Sequence, residues 1–269
     1  MQRRHVATAI EIGSPIVIVI IWWVVTAIIL PQASATSAFF FPDPVTIAQA
    51  FVNSFLGPGL FEYVLPTLGR FLLGYGFAAV VGIVGGVLLG VHLTARMAAL
   101  PFINFFRSLP GVTLIPIVTL FLGLGDSQKI TLVAIASVWP ILINAMDGTR
   151  SLDPTIRESA RAYRITGFDR YRFVLLPSAS PQIFAGLRVS LAVALIVAVV
   201  SELFGASGSG SGAGIGFFLV NAQSSFKMPQ LWAGVVLLGI VGYSINGIFT
   251  ALEKRVLAWH RGSRASTLE

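Results

Sequence analysis

Long apolar runs alternate with short polar segments along the whole chain. Six of these runs, centred on residues 14–31, 67–92, 98–124, 128–147, 182–204 and 231–252, are each long enough to cross a bilayer as a helix of roughly 20 residues. The pattern predicts an all-α integral membrane protein with six transmembrane helices. A chain of 269 residues leaves no room for a separate soluble domain, so 1–269 reads as one transmembrane domain, with a first span at 14–31, core spans within 67–252 and a polar loop at 148–181.

Composition agrees with the pattern and adds an orientation. Charged residues make up 11% of the chain and the mean hydropathy is +0.85, against about 25% charged in soluble domains. With Met1 inside, the inner segments hold Arg3, Arg4 and Arg96, the arginines from Arg150 to Arg188, and Lys254 to Arg264, whereas the outer loops hold only Lys129 and Lys227. That bias predicts cytoplasmic termini and a cytoplasmic 148–181 loop. The net charge of +7 therefore reads as topology rather than nucleic-acid binding, because the positives sit beside apolar spans. The absence of cysteine excludes disulfides and thiol chemistry. Arg3-Arg4, an apolar stretch and Ala33-Ser34-Ala35 also sketch a cleaved signal peptide, although Trp22 and Trp23 lengthen the run toward a retained span.

Local signals place further elements. Phe41-Pro42-Asp43-Pro44 breaks the chain, and Val45 to Phe55 reads as a short amphipathic helix along the outer surface, capped by Asp43 with Pro44 at its first position. Gly74, Ala78, Gly82, Gly86 and Gly90 put a small residue at every fourth position of the second span, a face suited to close packing within the chain or against another subunit. Residues 205–216 are too glycine-rich to span and read as an outer loop. Trp232 and Trp259 read as interfacial anchors.

The loop at 148–181 carries the strongest functional signal. Asp153-Pro154 starts a helix, on which Arg157, Arg161 and Arg164 form a basic stripe beside an apolar one of Ile156, Ala160 and Tyr163. Such arginines could hold the loop inside against lipid headgroups, or the two stripes could enter a groove on a soluble partner. The run Glu158-Ser159-Ala160-(x)3-Arg164-(x)9-Val174-x-Leu176-Pro177 resembles the Glu-Ala-Ala-(x)3-Gly-(x)9-Ile-x-Leu-Pro loop of the membrane subunits of binding-protein-dependent ABC importers. Ser159 replaces an alanine and Arg164 replaces the glycine that would cap the helix, so Gly167 is expected to stop it nearly one turn later. Thr67-Leu68-Gly69-Arg70, Arg107-Ser108-Leu109-Pro110, Ile115-Pro116, Phe121-Leu122-Gly123-Leu124-Gly125, Trp139-Pro140, Gly186-Leu187-Arg188 and Ser201-Glu202-Leu203 look like the taurine, aliphatic-sulfonate and nitrate branch.

This resemblance implies the MetI-like permease fold of a type I importer in the bacterial cytoplasmic membrane, working by alternating access. It implies a homodimer of this chain, two cytoplasmic ATPases carrying ATP and magnesium, and an extracytoplasmic solute-binding protein. The ATPases would dock on Arg157, Glu158, Ser159, Ala160, Arg161, Arg164, Gly167, Leu176 and Pro177, with Glu158 steadied by hydrogen bonds or an ion pair to Arg161.

The chain itself has no Gly-(x)4-Gly-Lys-Ser/Thr loop to cradle phosphates, so the energy must come from a partner and no cofactor is expected on it. Gly208-x-Gly210-x-x-Ala213 follows no strand and reads as loop composition. Gly205-Ala206-Ser207-Gly208 matches the Gly-x-Ser-Gly of intramembrane serine proteases, but His5, His92 and His260 fall at the opposite membrane face from Ser207. Those histidines have no metal-ligand spacing. A passive channel would leave the basic docking helix without a purpose. Asn104, Arg107, Ser108 and Pro110 mark a candidate translocation pathway in the third span, with Glu202 at an outer gate. Arg107 either faces an interior cavity at mid-membrane or, if the span starts later, snorkels to the inner interface.

Overall fold

The structure, a computed structural model, describes residues 13–14, 17–33, 35–204 and 214–258. Arg3, Arg4, His5, Ser34, the Gly205-Ala206-Ser207-Gly208 motif, Trp259 and His260 lie outside the described residues.

Every element among the described residues is helical. In chain order, apart from a short helix at Ala35–Phe40, they are α1 (Val17–Gln32), α2 (Pro44–Phe55), α3 (Phe61–Val91), α4 (Leu93–Ser108), α5 (Gly111–Leu122), α6 (Asp126–Arg150), α7 (Pro154–Ala162), α8 (Gly167–Phe204), α9 (Ile215–Ser224) and α10 (Met228–Val256). Of these, α3, α6, α8 and α10 are long and apolar enough to cross a membrane. Among the described residues the structure thus holds four spans, or five with the bent pair below, and the first predicted segment is a shorter apolar helix, Val17–Gln32. The third, predicted over 98–124, is α4 and α5 bent by 91° at Leu109 and Pro110. Pro110 cannot donate a backbone hydrogen bond, and Leu109 before it is forced to extended geometry, with φ −76° and ψ 125°. Pro101, by contrast, stays inside α4.

The core is a layer of three helices with α6 between α3 and α8. The small-residue face of α3 lies on α6. A Cβ on Gly74 would come within 2.7 Å of the Ile130 carbonyl, one on Gly86 within 2.5 Å of the Leu142 carbonyl, and one on Gly90 within 2.8 Å of the Met146 carbonyl. On the other side of α6, a Cβ on Gly186 would meet Asn144 Cβ at 2.6 Å, and one on Gly148 would meet Gln182 Cβ at 2.7 Å. Close approach within one chain is thus what those glycines serve. Polar ties cross the layer as well: Tyr75 donates to the Leu187 carbonyl at 2.9 Å and Ser190 to the Ser137 carbonyl at 2.7 Å.

Helix α2 forms as its sequence indicates. The Asp43 carboxylate accepts from the backbone N–H of Val45 and Thr46 and from the Thr46 hydroxyl, at 2.9, 3.1 and 2.6 Å. Its apolar side, Ile47 and Phe55, packs on Phe218 of α9 and on Ala233, Leu237 and Val241 of α10. Trp232 joins the first segment to this cluster, meeting Trp22 edge-on at 4.8 Å and donating to the Phe40 carbonyl.

Candidate functional site

Near the middle of the layer, the bend between α4 and α5 opens a cavity of about 440 Å³ against α6 and α8. Its depth follows from Trp139, which lies midway along α6, about 20 Å from Asp126 and about 17 Å from Arg150 at 1.5 Å per residue. Phe106 stacks on that indole with centroids 5.7 Å apart and planes 4° from parallel. Arg107, the next residue, lines the same cavity and is exposed on this chain.

The structure brings Arg107 and Ser108 together on the cavity wall. Asn104 lies one turn away and its carbonyl accepts from Ser108 Oγ at 2.7 Å, while Pro110 sits at the bend without lining the cavity. Phe106, Trp139 and Asn144 are among the wall residues that the sequence did not single out for the pathway. Pro140, placed inside α6, was the available signal, because a proline in a span frees a carbonyl that the protein must satisfy or expose. Here it frees the carbonyl of Ala136, which is in the wall, while Asn144 Nδ2 donates to the Pro140 carbonyl at 2.8 Å.

Glu202 is somewhere else. It is 1% exposed and lies at the far end of α8, where Arg70 Nη1 approaches Oε1 at 2.5 Å. Thr67 Oγ1 lies 2.9 Å from both carboxylate oxygens, and the Gly216 N–H donates to Oε2 at 2.9 Å. Arg70 Nε also reaches Asp126 Oδ1 at 2.7 Å. A carboxylate so enclosed joins α3, α6, α8 and the start of α9; it does not face the cavity. The pairing carried a signal that went unread, namely single charges of opposite sign set within two apolar segments.

The loop at the opposite end of the layer is helical from Pro154 to Ala162 and capped by Asp153, whose carboxylate accepts from the Thr155 N–H at 2.8 Å. The helix does not run on to Gly167. Arg164 adopts φ +54°, its N–H donating to the Arg161 carbonyl and the Ile165 N–H to the Ala160 carbonyl, at 3.0 and 2.9 Å. These two bonds are a Schellman motif, so Arg164 takes the left-handed place that glycine usually fills. Ile165 and Ala160 join one apolar cluster with Leu152, Val174 and Leu175, which offsets the steric cost of a side chain there. Gly167, with φ +59°, opens α8 instead of ending α7, and a π-helical turn from Arg170 to Leu175 leads into Leu176 and Pro177. The predicted loop therefore becomes helix well before residue 181.

The two stripes separate. Ala160 is buried, whereas Ile156 and Tyr163 are exposed, as are Glu158 and Ser159. Arg157, Arg161, Arg164 and Arg170 surround a hollow of about 550 Å³. Glu158 makes no ion pair with Arg161 among the described residues.

Comparison with known proteins gives this arrangement a context. Residues 78–258 match the family described as the binding-protein-dependent transport system inner membrane component. The chain is 29% identical over 223 residues to the putative aliphatic sulfonates transport permease protein SsuC of Bacillus subtilis, covering 83% of this chain and 79% of that one. It is 26% identical over 229 residues to the taurine transport system permease protein TauC of Escherichia coli, covering 83% and 82%. Against the bicarbonate transport system permease protein CmpB of Synechocystis it is 31% identical over 201 residues, covering 75% and 70%. Among solved structures, a chain of the inward-facing MetNI methionine ABC transporter superposes with a TM-score of 0.64 at 22% identity, covering 73% of this chain and 95% of that chain.

Proposed function

The chain belongs to the family of binding-protein-dependent transport system inner membrane components and is a permease subunit of an ABC importer; we propose that its solute is a small anion that passes Arg107 at mid-span. ATP is hydrolysed by a separate subunit. The observation that carries the reading is the Arg107 guanidinium beside a mid-depth cavity. Arg107 is exposed on this chain, and a cation within a span costs at least about 2.5–3.5 kcal/mol on insertion scales unless it meets water, an acid, a ligand or a partner surface. Relatives named for sulfonates, taurine and bicarbonate support an anion.

In this reading two copies of the chain assemble, because one chain supplies one docking loop and a pair of ATPases needs two. The ATPases sit on α7, which offers exposed Ile156, Glu158 and Tyr163 beside the four arginines of its hollow. Both termini and α7 lie in the cytoplasm of a bacterial cell, and a binding protein delivers solute to the Glu202 end. The transport cycle alternates access to the Arg107 cavity between the two sides.

The test is uptake by the complex reconstituted with its ATPase and binding protein. Arg107→Ala should abolish uptake while leaving assembly and basal ATP hydrolysis intact, and Arg107→Lys should retain part of it. Unchanged uptake in Arg107→Ala would leave Arg107 a topological anchor. Glu158→Ala should uncouple hydrolysis from uptake or release the ATPase; full substrate-stimulated hydrolysis and uptake would remove the docking assignment.

A further inference from the structure

Four arginines line one hollow that has no acid in its wall. Arg157 and Arg161 come from α7, Arg164 from the turn after it and Arg170 from the start of α8, around a space of about 550 Å³. Among the described residues none of the four makes an ion pair. The acids nearest in sequence are placed elsewhere: Asp153 accepts from the Thr155 N–H, and Glu158 and Asp169 do not line the space. Four like charges gathered without a counter-charge repel one another, and an anion from outside the chain relieves that repulsion.

Arg164 supplies a second sign. It holds a left-handed backbone, φ +54°, that glycine adopts without a clash. Strain retained at one position points to a use for the side chain there. Here that side chain is a guanidinium on the wall of the hollow.

The place of the hollow narrows the ligand. Leu152, in its wall, follows the end of α6 by two residues, and Leu152 and Val174 share a cluster with Val91, the last residue of α3. The hollow therefore opens where two spans end, at the level where lipid headgroups meet solution. A carboxylate offers two oxygens and one charge, enough for a single guanidinium fork. A phosphate group presents its oxygens in a tetrahedral array that several forks can share.

We propose that this hollow binds a phosphate group, supplied by an anionic phospholipid headgroup or by free phosphate in solution. Bound there, the phosphate joins α7 to the start of α8 and offsets the repulsion among the four cations, so it sets how firmly α7 is held. Ile156 and Tyr163, exposed on another edge of α7 roughly 130° round the helix from Arg157 and Arg161, stay free of it.

The test is modification of arginine by phenylglyoxal, read by peptide mass mapping. It uses the complex with its ATPase, free of nucleotide and stripped of phospholipid in dodecyl maltoside. Arg157 and Arg161 are the sites followed, and exposed Arg255 on α10 is the reference. Dioleoylphosphatidylglycerol should slow their modification several-fold relative to Arg255 if the source is lipid, and inorganic phosphate should do so if it is free phosphate. Dioleoylphosphatidylcholine, neutral overall, and sodium chloride at matched ionic strength should do neither. No slowing by phosphatidylglycerol or phosphate, or equal slowing by the two controls, overturns the inference. So does resistance of Arg157 and Arg161 to the reagent before any phosphate is added, because the ATPase then fills the hollow. Arg164→Gly relieves the backbone strain and keeps the fold, so it should remove most of the protection; protection unchanged in that variant also overturns the site.

Discussion

Arg70 and Glu202 stand 2.5 Å apart although they are 132 residues apart in sequence, and neither is more than 3% exposed. The pair fixes the end of α8 to α3, and its remaining bonds extend the tie to Asp126 at the start of α6 and Gly216 at the start of α9. Removing one member of a buried pair leaves the other charge uncompensated, which costs about 3–5 kcal/mol. Glu202→Ala should therefore lower thermal stability strongly in detergent, and Arg70→Met with Glu202→Leu should recover part of the loss. A Glu202→Ala chain that melts with wild type would contradict the role.

Gly86 and Gly76 share α3 but not its environment. A methyl group on Gly86 meets the Leu142 carbonyl at 2.5 Å and Ala145 Cβ at 2.7 Å, whereas on Gly76 it meets nothing within 4 Å. Overpacking of this kind costs about 1–3 kcal/mol, and an unobstructed Gly→Ala in a helix gains roughly 0.5–1 kcal/mol. Gly86→Ala should lower the melting temperature and Gly76→Ala should hold or raise it. The same sign for both would refute the packing argument.

At Arg164 the backbone rather than the side chain decides. Releasing a non-glycine residue from the left-handed region recovers about 1 kcal/mol. Arg164→Gly should slow amide exchange at Ile165, and Arg164→Ala, which keeps the clash, should not. If alanine protects as well as glycine, the φ of +54° is not costing the loop anything.

The Asp43 cap predicts a pH dependence. The Thr46 hydroxyl foremost, together with the N–H groups of Thr46 and Val45, holds its carboxyl below the usual carboxylate range, with partial burial opposing. A depressed pKa means that this stabilisation is fully present above about pH 4 and fades as pH falls through the lowered folded value. Asp43→Ala should cost about 1 kcal/mol at neutral pH, and the difference from wild type should shrink below the folded pKa. A difference that stays constant down to strongly acid pH would rule out an ionised cap.

Much of this was legible in one sequence, because hydropathy and small-residue spacing act through local periodicity. The α3 stripe, the Asp43 and Asp153 caps and the basic face of α7 all follow from residues within a few positions of one another. What was missed depends on distance or on competition. The ion pair of Glu202 was not seen because its partner Arg70 lies in another helix. The stop at Arg164 was misread because the apolar cluster holding Ile165 on Ala160 outweighs the preference for glycine, and no local rule weighs those two. Pro110 bends its span and Pro101 does not, a difference that residue type alone does not carry.

The glycine contacts of α6 with α3 and α8 also have a mechanical meaning. Helices that interlock through long side chains can slide by changing rotamers, but backbone set against Cβ has no rotamer to change. The three helices therefore turn as one block, and any change of shape concentrates where the chain is least constrained, at Leu109 and Pro110. Phe106 and Arg107 lie just before that joint and Trp139 lies on the block, so in the proposed transport cycle flexing the joint would move the cation along the aromatic face, opening the path and loosening the grip on its passenger in a single movement.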